Sequence, residues 1–333
     1  MAKASGCSCG EESWIQNTTS RCRRTSMAAS EEYRRQAALL VRTIPLVAAE
    51  TCFALKGGTA INLFVRDVPR LSVDIDLTYL PIADRATSLA EIDAAMKRLA
   101  DSIRAGIRGA QVTSGKLKGE NVVSKLFVEA DGVQIKIEVT PVLRGCVYEP
   151  KTRSVSAAVE AQFGFAEIQV VSFADLYAGK LVAALDRQHP RDLFDVRDLL
   201  ANEGIDESLR KAFVVYILSH NRPMAEVLAP TRMDISQEFT RGFEGMTETP
   251  VKLDDLLQAR EDFIADLVGK MPDEHRRFLA SFKKGDPEWK LLDIPHAEKL
   301  PAVQWRLQNL AKMDPKKRQR LVDDLLKALP IAE

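Results

Sequence analysis

The chain has 333 residues, 46% of them apolar and 28% charged, and its 47 basic and 47 acidic side chains cancel. That length allows a sizeable core and two domains, while the charge balance excludes a broad basic face for nucleic acid and leaves room only for a confined patch. No apolar run is long enough to span a membrane, and five thinly spread cysteines exclude a disulfide framework.

Residues 1–27 are polar, basic and without periodicity, which predicts a disordered leader, with Met27 as an alternative start. Cys7, Cys9 and Cys22 within it lack the spacing of a zinc site. No secretory core precedes the first periodic segment, so a cytoplasmic location is expected. From Ser30 the pattern turns helical, with Leu39, Leu40, Ile44 and Val47 on one face and Pro45 expected to kink or divide the helix. Phe53-Ala54-Leu55 follows as a short apolar run, readable as a strand or a helix end.

Lys56-Gly57-Gly58-Thr59-Ala60 comes next. Two glycines let the backbone turn tightly and approach a ligand. Thr59 is placed to cap a helix over Ala60 to Val65, leaving free N–H groups aimed at an anion. Beyond it, Leu71, Val73, Ile75 and Leu77 alternate with Ser72, Asp74, Asp76 and Thr78. An extended strand therefore puts both carboxylates on one side, a few ångströms apart, where they repel. A divalent cation relieves that repulsion. A lone Asp-x-Asp is more often a solvated strand face; the glycine turn upstream favours a site.

Leu89, Ile92, Met96, Leu99 and Ile103 predict an amphipathic helix ending before Gly106 or Gly109. Asn121 to Ala130 and Val133 to Val142 predict a hairpin through Asp131-Gly132. Val133, Ile135, Ile137 and Val139 form its core face and put Lys136 and Glu138 on the other. Glu138 reads equally as a third acid for the Asp-x-Asp strand and as an ordinary half-exposed strand residue. A short strand over Ile168 to Val171 leads to Ser172 and Asp175, a cap-and-acid pair that starts a helix. His189-Pro190 breaks it, and Asp192 and Asp195 then share one face of the next helix. Taken singly, Lys180 reads as a solvated lysine and the two acids as first-turn carboxylates. Beyond Leu200 the pattern is helical and charged. Tryptophans among basic residues there suit either single-stranded nucleic acid or, more commonly, a core.

Taken together, Lys56-Gly57-Gly58-Thr59-Ala60, Arg70-x-Ser72-x-Asp74-Ile75-Asp76-Leu77, Asp175-Leu176-x-x-x-Lys180 and Arg191-Asp192-x-x-Asp195 resemble the AbiEii toxin family, within the DNA polymerase β-like nucleotidyltransferase superfamily. Thr59 stands where Ser is commoner, and the spacer before Asp74 is longer than in many superfamily members. The resemblance implies an α+β fold: a polymerase β-like palm over 28–170, with a small mixed sheet and helices, then a mainly helical domain over 171–333. It implies a metal-dependent nucleotidyltransferase toxin of a bacterial AbiE-type, type IV toxin–antitoxin system with a role in phage defence. Asp74, Asp76, Glu138, Lys180 and Asp195 are the implied catalytic residues, with Mg²⁺ or Mn²⁺ on Asp74, Asp76 and Glu138. The nucleoside triphosphate would meet Lys56, Gly57, Gly58, Thr59, Ser72, Lys180, Arg191 and Asp192. The implied partners are a tRNA acceptor and a separately encoded antitoxin. An enzyme that modifies a small molecule or protein, and a nucleotide-binding regulator without catalysis, remain alternatives on the same motifs.

Overall fold

The computed structural model describes residues 31–247, 249–294 and 296–331; the leader expected over 1–27, with its cysteines and Met27, lies outside the described residues. Helix α1 covers residues 31–48 and buries Leu39, Leu40, Ile44 and Val47. It continues through Pro45 and is not divided there.

Phe53–Lys56 forms strand β1, which settles the apolar run as a strand. A helical turn, α2 (Gly57–Ala60), passes directly into a π-helical turn, Ile61–Val65. Strand β2 (Asp74–Tyr79) buries Ile75 and Leu77 and leaves Asp74 and Asp76 on its more open face. Helix α3 (Arg85–Gly106) starts on an Asp84 cap and packs Ile92, Met96, Leu99 and Ile103 into the core. Strands β3 (Gln111–Lys116), β4 (Val123–Ala130) and β5 (Val133–Arg144) follow. Asp131 and Gly132 join β4 to β5 with φ of 53° and 72°, as a tight hairpin of matching twist demands. Strand β6 (Lys151–Ser154), helix α4 (Ala157–Phe163) and strand β7 (Glu167–Val170) complete the sheet.

The seven strands lie in the order β3-β4-β5-β2-β1-β7-β6. Pairings β2–β5 and β1–β7 are parallel and the others antiparallel. The acid-bearing strand therefore sits in the middle of a mixed sheet, with a neighbour on each side to fix its register. From residue 173 the chain is helical: α5 (Phe173–Arg187), α6 (Pro190–Asn202), α7 (Glu207–Leu218), α8 (Met224–Leu228), α9 (Ser236–Gly242), α10 (Leu253–Ile264), α11 (Asp273–Lys284), α12 (Pro301–Ala311) and α13 (Pro315–Ala328). Among the described residues no helix is long and apolar enough to cross a membrane.

One buried carboxylate ties the helical half to the sheet. Asp175, in the first turn of α5, accepts from the N–H groups of Val147 (2.7 Å) and Tyr148 (2.9 Å), from the Ser172 hydroxyl (2.7 Å) and from Tyr216 on α7 (3.2 Å). Ser172 in return caps α5 by accepting from the Asp175 N–H at 3.0 Å. Asp175 thus fixes where α5, and Lys180 upon it, meets the strands.

Candidate active site

Two clusters of charge meet beneath the Gly57-Gly58 turn. The first lies on the sheet. Parallel pairing sets Asp74 beside Lys136 and Asp76 beside Glu138, while antiparallel pairing sets Lys56 beside Asp76. Burial pushes the Asp76 pKa up, the Lys56 ammonium opposes that rise, and neighbouring Asp74 adds to it. Burial likewise pulls the Lys56 pKa down against the attraction of Asp76. Glu138 is differently placed. Its two oxygens lie 2.9 Å from Lys125 Nζ and 3.2 Å from Lys136 Nζ, and Lys136 also stands 3.6 Å from Asp74 Oδ2. Burial would raise the Glu138 pKa, but hydrogen bonds from the two lysines outweigh it and the carboxyl stays low.

The glycines have a steric reason to be there. Gly57 sits at φ +78°, and a Cβ on it would stand 2.5 Å from Asp76 Oδ2; one on Gly58 would meet Arg70 Nη2 at 2.8 Å and Ser72 Oγ at 2.9 Å. The turn is pressed onto the acid and onto Arg70. Its helix begins at Gly57 with extended Lys56 before it and no side-chain cap, so its leading N–H groups are free of a side-chain competitor. Thr59 is not the cap its position suggested. It is buried one turn in, donating to the Asp74 carbonyl at 2.5 Å and lying 3.1 Å from Ser72 Oγ. Ser72 precedes β2 and donates its N–H to Tyr33 of α1 at 3.2 Å.

The second cluster is buried between β2 and the helices. Arg70 grips Asp195 with two bonds of 2.6 Å. Lys180 reaches Asp192 at 2.8 Å and Asp195 at 2.9 Å. Arg187 binds Asp192 at 2.6 and 3.0 Å. Lys180 is only 8% exposed, so the solvated lysine that its helical setting suggested is corrected: α5 turns it inward onto α6. Burial opposes the charges of Lys180 and Asp192, yet the partners prevail, raising the Lys180 pKa and holding the Asp192 carboxyl well below the usual range. Three cations face two carboxylates, which leaves one excess positive charge. Arg187 carries it outward: its side chain is 63% exposed and feels the Asp76 carboxylate. Arg191 stands exposed in the first turn of α6, whose His189 cap accepts from its N–H at 3.1 Å.

Asp74, Asp76, Glu138, Lys56, Gly57, Gly58, Thr59 and Ser72 therefore come together around one turn, with Lys180, Asp192 and Asp195 beneath it and Arg191 at the margin. Arg70, Arg187, Lys136 and Lys125 belong to the same constellation but carried no separate sequence signal. Arg70 opens a recognised block and Arg187 falls between two of them, yet their partners lie 125 and 5 residues away, and spacing does not reveal such pairs.

As a metal site the donor set is partial. Asp74 and Asp76 offer hard oxygens on one strand face, but among the described residues no group of three His, Cys, Asp or Glu side chains is arranged to hold a metal ion. Two carboxylates suit Mg²⁺, which completes its shell with substrate phosphate and water. Glu138 is instead engaged by Lys125 and Lys136, one on each oxygen.

A family model described as "Nucleotidyl transferase AbiEii toxin, Type IV TA system" matches residues 38–309. Among solved structures, MenT4, a nucleotidyltransferase toxin from Mycobacterium tuberculosis, superimposes with a TM-score of 0.56 at 19% identity, covering 85% of this chain and 93% of that one. At that identity the likeness establishes the fold: a mixed seven-stranded sheet flanked by many helices. A search of curated protein sequences gave no match.

Proposed function

Since the chain belongs to the AbiEii family of nucleotidyl transferase toxins of type IV toxin–antitoxin systems, we propose that it transfers a nucleoside monophosphate from a triphosphate to an RNA hydroxyl, tRNA being the first acceptor to try, and that the transfer needs Mg²⁺ or Mn²⁺ on Asp74 and Asp76. It is a nucleotidyltransferase, and its family implies a nucleotide substrate and an antitoxin partner. The observation that carries the finer reading is the pressing of the uncapped Gly57 turn onto Asp76.

In this reading the first amides of α2 hold triphosphate oxygens, as helix starts do for anions. Lys56 and Arg187 flank that position and balance its charge. A divalent cation on the aspartates would neutralise the triphosphate and acidify the attacking hydroxyl. That hydroxyl forms a bond to the α-phosphorus, the bond from the α-phosphorus to the oxygen bridging it to the β-phosphate breaks, and pyrophosphate leaves with the electron pair. Glu138 receives the proton. Lys125 and Lys136 keep it ionised, and so in its basic form, at neutral pH. Lys180, Asp192 and Asp195 act one layer down, holding Arg70 under Gly58 and tethering Arg187 at its Asp192 end.

Incubation with each labelled triphosphate, Mg²⁺ and either total RNA or total protein tests the reading. Label in RNA that disappears with Asp76→Asn supports it. Label in protein or in a small molecule would move the acceptor, and binding without transfer would remove the activity.

A further inference from the structure

Among the described residues two lysines are buried, and only one of them has a counter-charge. Lys180 is 8% exposed and meets carboxylates at 2.8 and 2.9 Å. Lys283, in the last turn of α11, is 7% exposed. Its ammonium makes no ion pair and no hydrogen bond among the described residues, and only burial and the like charge of Arg306 act on it. It lines a cavity of about 420 Å³ between α8, α11 and α13, walled by Met224 and Ala225 on one side and by Leu321 and Ala328 on the other.

The charged groups around the cavity are engaged elsewhere. On α8, Glu226 pairs with Arg222 at 3.4 Å, and on α13, Asp324 pairs with Lys327 at 3.6 Å. On α12, Arg306 stands close enough to repel Lys283. Its own donors go to the carbonyls of Leu218, at 3.1 Å, and His220, neutral groups that leave its charge whole. Burial and that like charge push the Lys283 pKa down to about 8.

An unpaired ammonium so placed is costly, and losing a proton relieves it. The amine that results carries a free lone pair near neutral pH, where an ordinary lysine, at about 10.4, keeps almost none. Desolvation of a lysine beside another cation is one way in which proteins make an amine nucleophilic. The lining has no acid free to protonate a departing group, because both of its carboxylates are held in ion pairs. The electrophile must therefore be small and must bring a leaving group that departs readily as an anion. A short acyl phosphate meets both conditions, and its neutral amide product suits the apolar wall.

We propose that Lys283 is a modification site, a nucleophilic amine in a small apolar cavity that takes a short acyl group from an acyl phosphate. The amine nitrogen attacks the carbonyl carbon and a C–N bond forms. The bond from that carbon to the phosphate oxygen breaks, phosphate leaves with the electron pair, and the proton on nitrogen goes to water. A buried charge beside Arg306 is thereby replaced by an amide among Met224, Leu321 and Ala328. None of the lining residues belongs to the candidate active site, so the step does not depend on nucleotidyl transfer.

The test is the reaction of the full chain with acetyl phosphate from about pH 6 to about pH 10, followed by peptide mass spectrometry at Lys283 and at Lys284, its exposed neighbour and internal standard. Near neutral pH, Lys283 should be acetylated about tenfold faster than Lys284, the larger fraction of free amine outweighing a lower intrinsic nucleophilicity. Its rate should level off once the pH passes about 8, while that of Lys284 climbs to the end of the range. Lys283→Met fills a similar space without the charge and should keep or raise the melting temperature. Equal rates at the two lysines, or a Lys283 rate still climbing at the alkaline end, would overturn the proposal and leave Lys283 a lysine with only its stem buried. A fall of several degrees in Lys283→Met would overturn it as well, by showing that the ammonium is held by a stabilising partner.

Discussion

The sheet cluster and the buried cluster contain the same kinds of side chain and treat charge in opposite ways. Around Asp192 and Asp195 the ion pairs close on themselves: Arg70, Lys180 and Arg187 reach all four carboxylate oxygens at 2.6–3.0 Å. Around Asp74 and Asp76 the charges remain in conflict, two acids side by side on one strand and one of them pushed up in pKa by burial. A closed network holds elements together; an open one waits for a ligand. A lysine and two aspartates thus say little by themselves, and burial decides which task they perform.

The sharpest way to break this contrast is to open the closed cluster. Asp195→Ala leaves Arg70, 3% exposed, without its carboxylate and should destabilise the fold by about 3–5 kcal/mol. Chemical denaturation measures this, and a loss below about 1 kcal/mol would mean that the network is not structural. Lys180→Ala should likewise lower stability, where a surface lysine would not.

Opening the other cluster should do the reverse. Asp76→Asn should lower transfer at least about a hundredfold, or about 2.7 kcal/mol, while stability holds or rises because a destabilised charge has gone. The pH dependence carries the sign. The folded pKa of Asp76 lies above its ordinary 3.8, so its charge penalty is fully present above that folded pKa and is relieved as pH falls through it. The stability advantage of Asp76→Asn should therefore shrink towards acid. Asp192 runs the other way: its contribution persists above 3.8 and is lost as pH falls below it towards the depressed folded pKa. Melting temperatures of both proteins across pH would show the gap closing before the general acid loss. A gap that widened towards acid would contradict the burial argument.

Between the clusters, Thr59→Val removes the bonds to the Asp74 carbonyl and Ser72 and should cost about 1–2 kcal/mol. Transfer should fall further than stability, since β2 loses its tie to the glycine turn. The smallest change is Arg191→Ala, at an exposed position, within about 0.5 kcal/mol in stability. A drop in triphosphate affinity without that loss would bring Arg191 into the nucleotide site; no change would leave it at the margin.

Much of this was legible in the sequence. The alternation around Asp74 and Asp76, the Asp131-Gly132 turn and the cap at Ser172 are local, and local chemistry fixed them. Strands β3 and β6 were not foreseen: Gln111–Lys116 and Lys151–Ser154 are polar edge strands with almost nothing to bury. Thr59 was misread because a threonine after two glycines suits a cap as well as an interior turn, and only the Asp74 carbonyl decides. Lys180 was misplaced because nothing in a helix sequence tells that two acids on the following helix fold back onto it.

The pairing of Arg70 with Asp195 also sets an order of events during synthesis. Every strand of the sheet precedes residue 171, so the acids and the glycine turn emerge from the ribosome first. The carboxylate that neutralises Arg70 beneath Gly58 emerges 125 residues after it. Until α6 has appeared, the turn rests on a guanidinium without its carboxylate and the nucleotide position is unfinished. A ribosome-stalled chain ending ahead of α6 should fail to retain labelled triphosphate, and one released beyond it should succeed. A potentially harmful enzyme would then stay idle through the first half of its own translation.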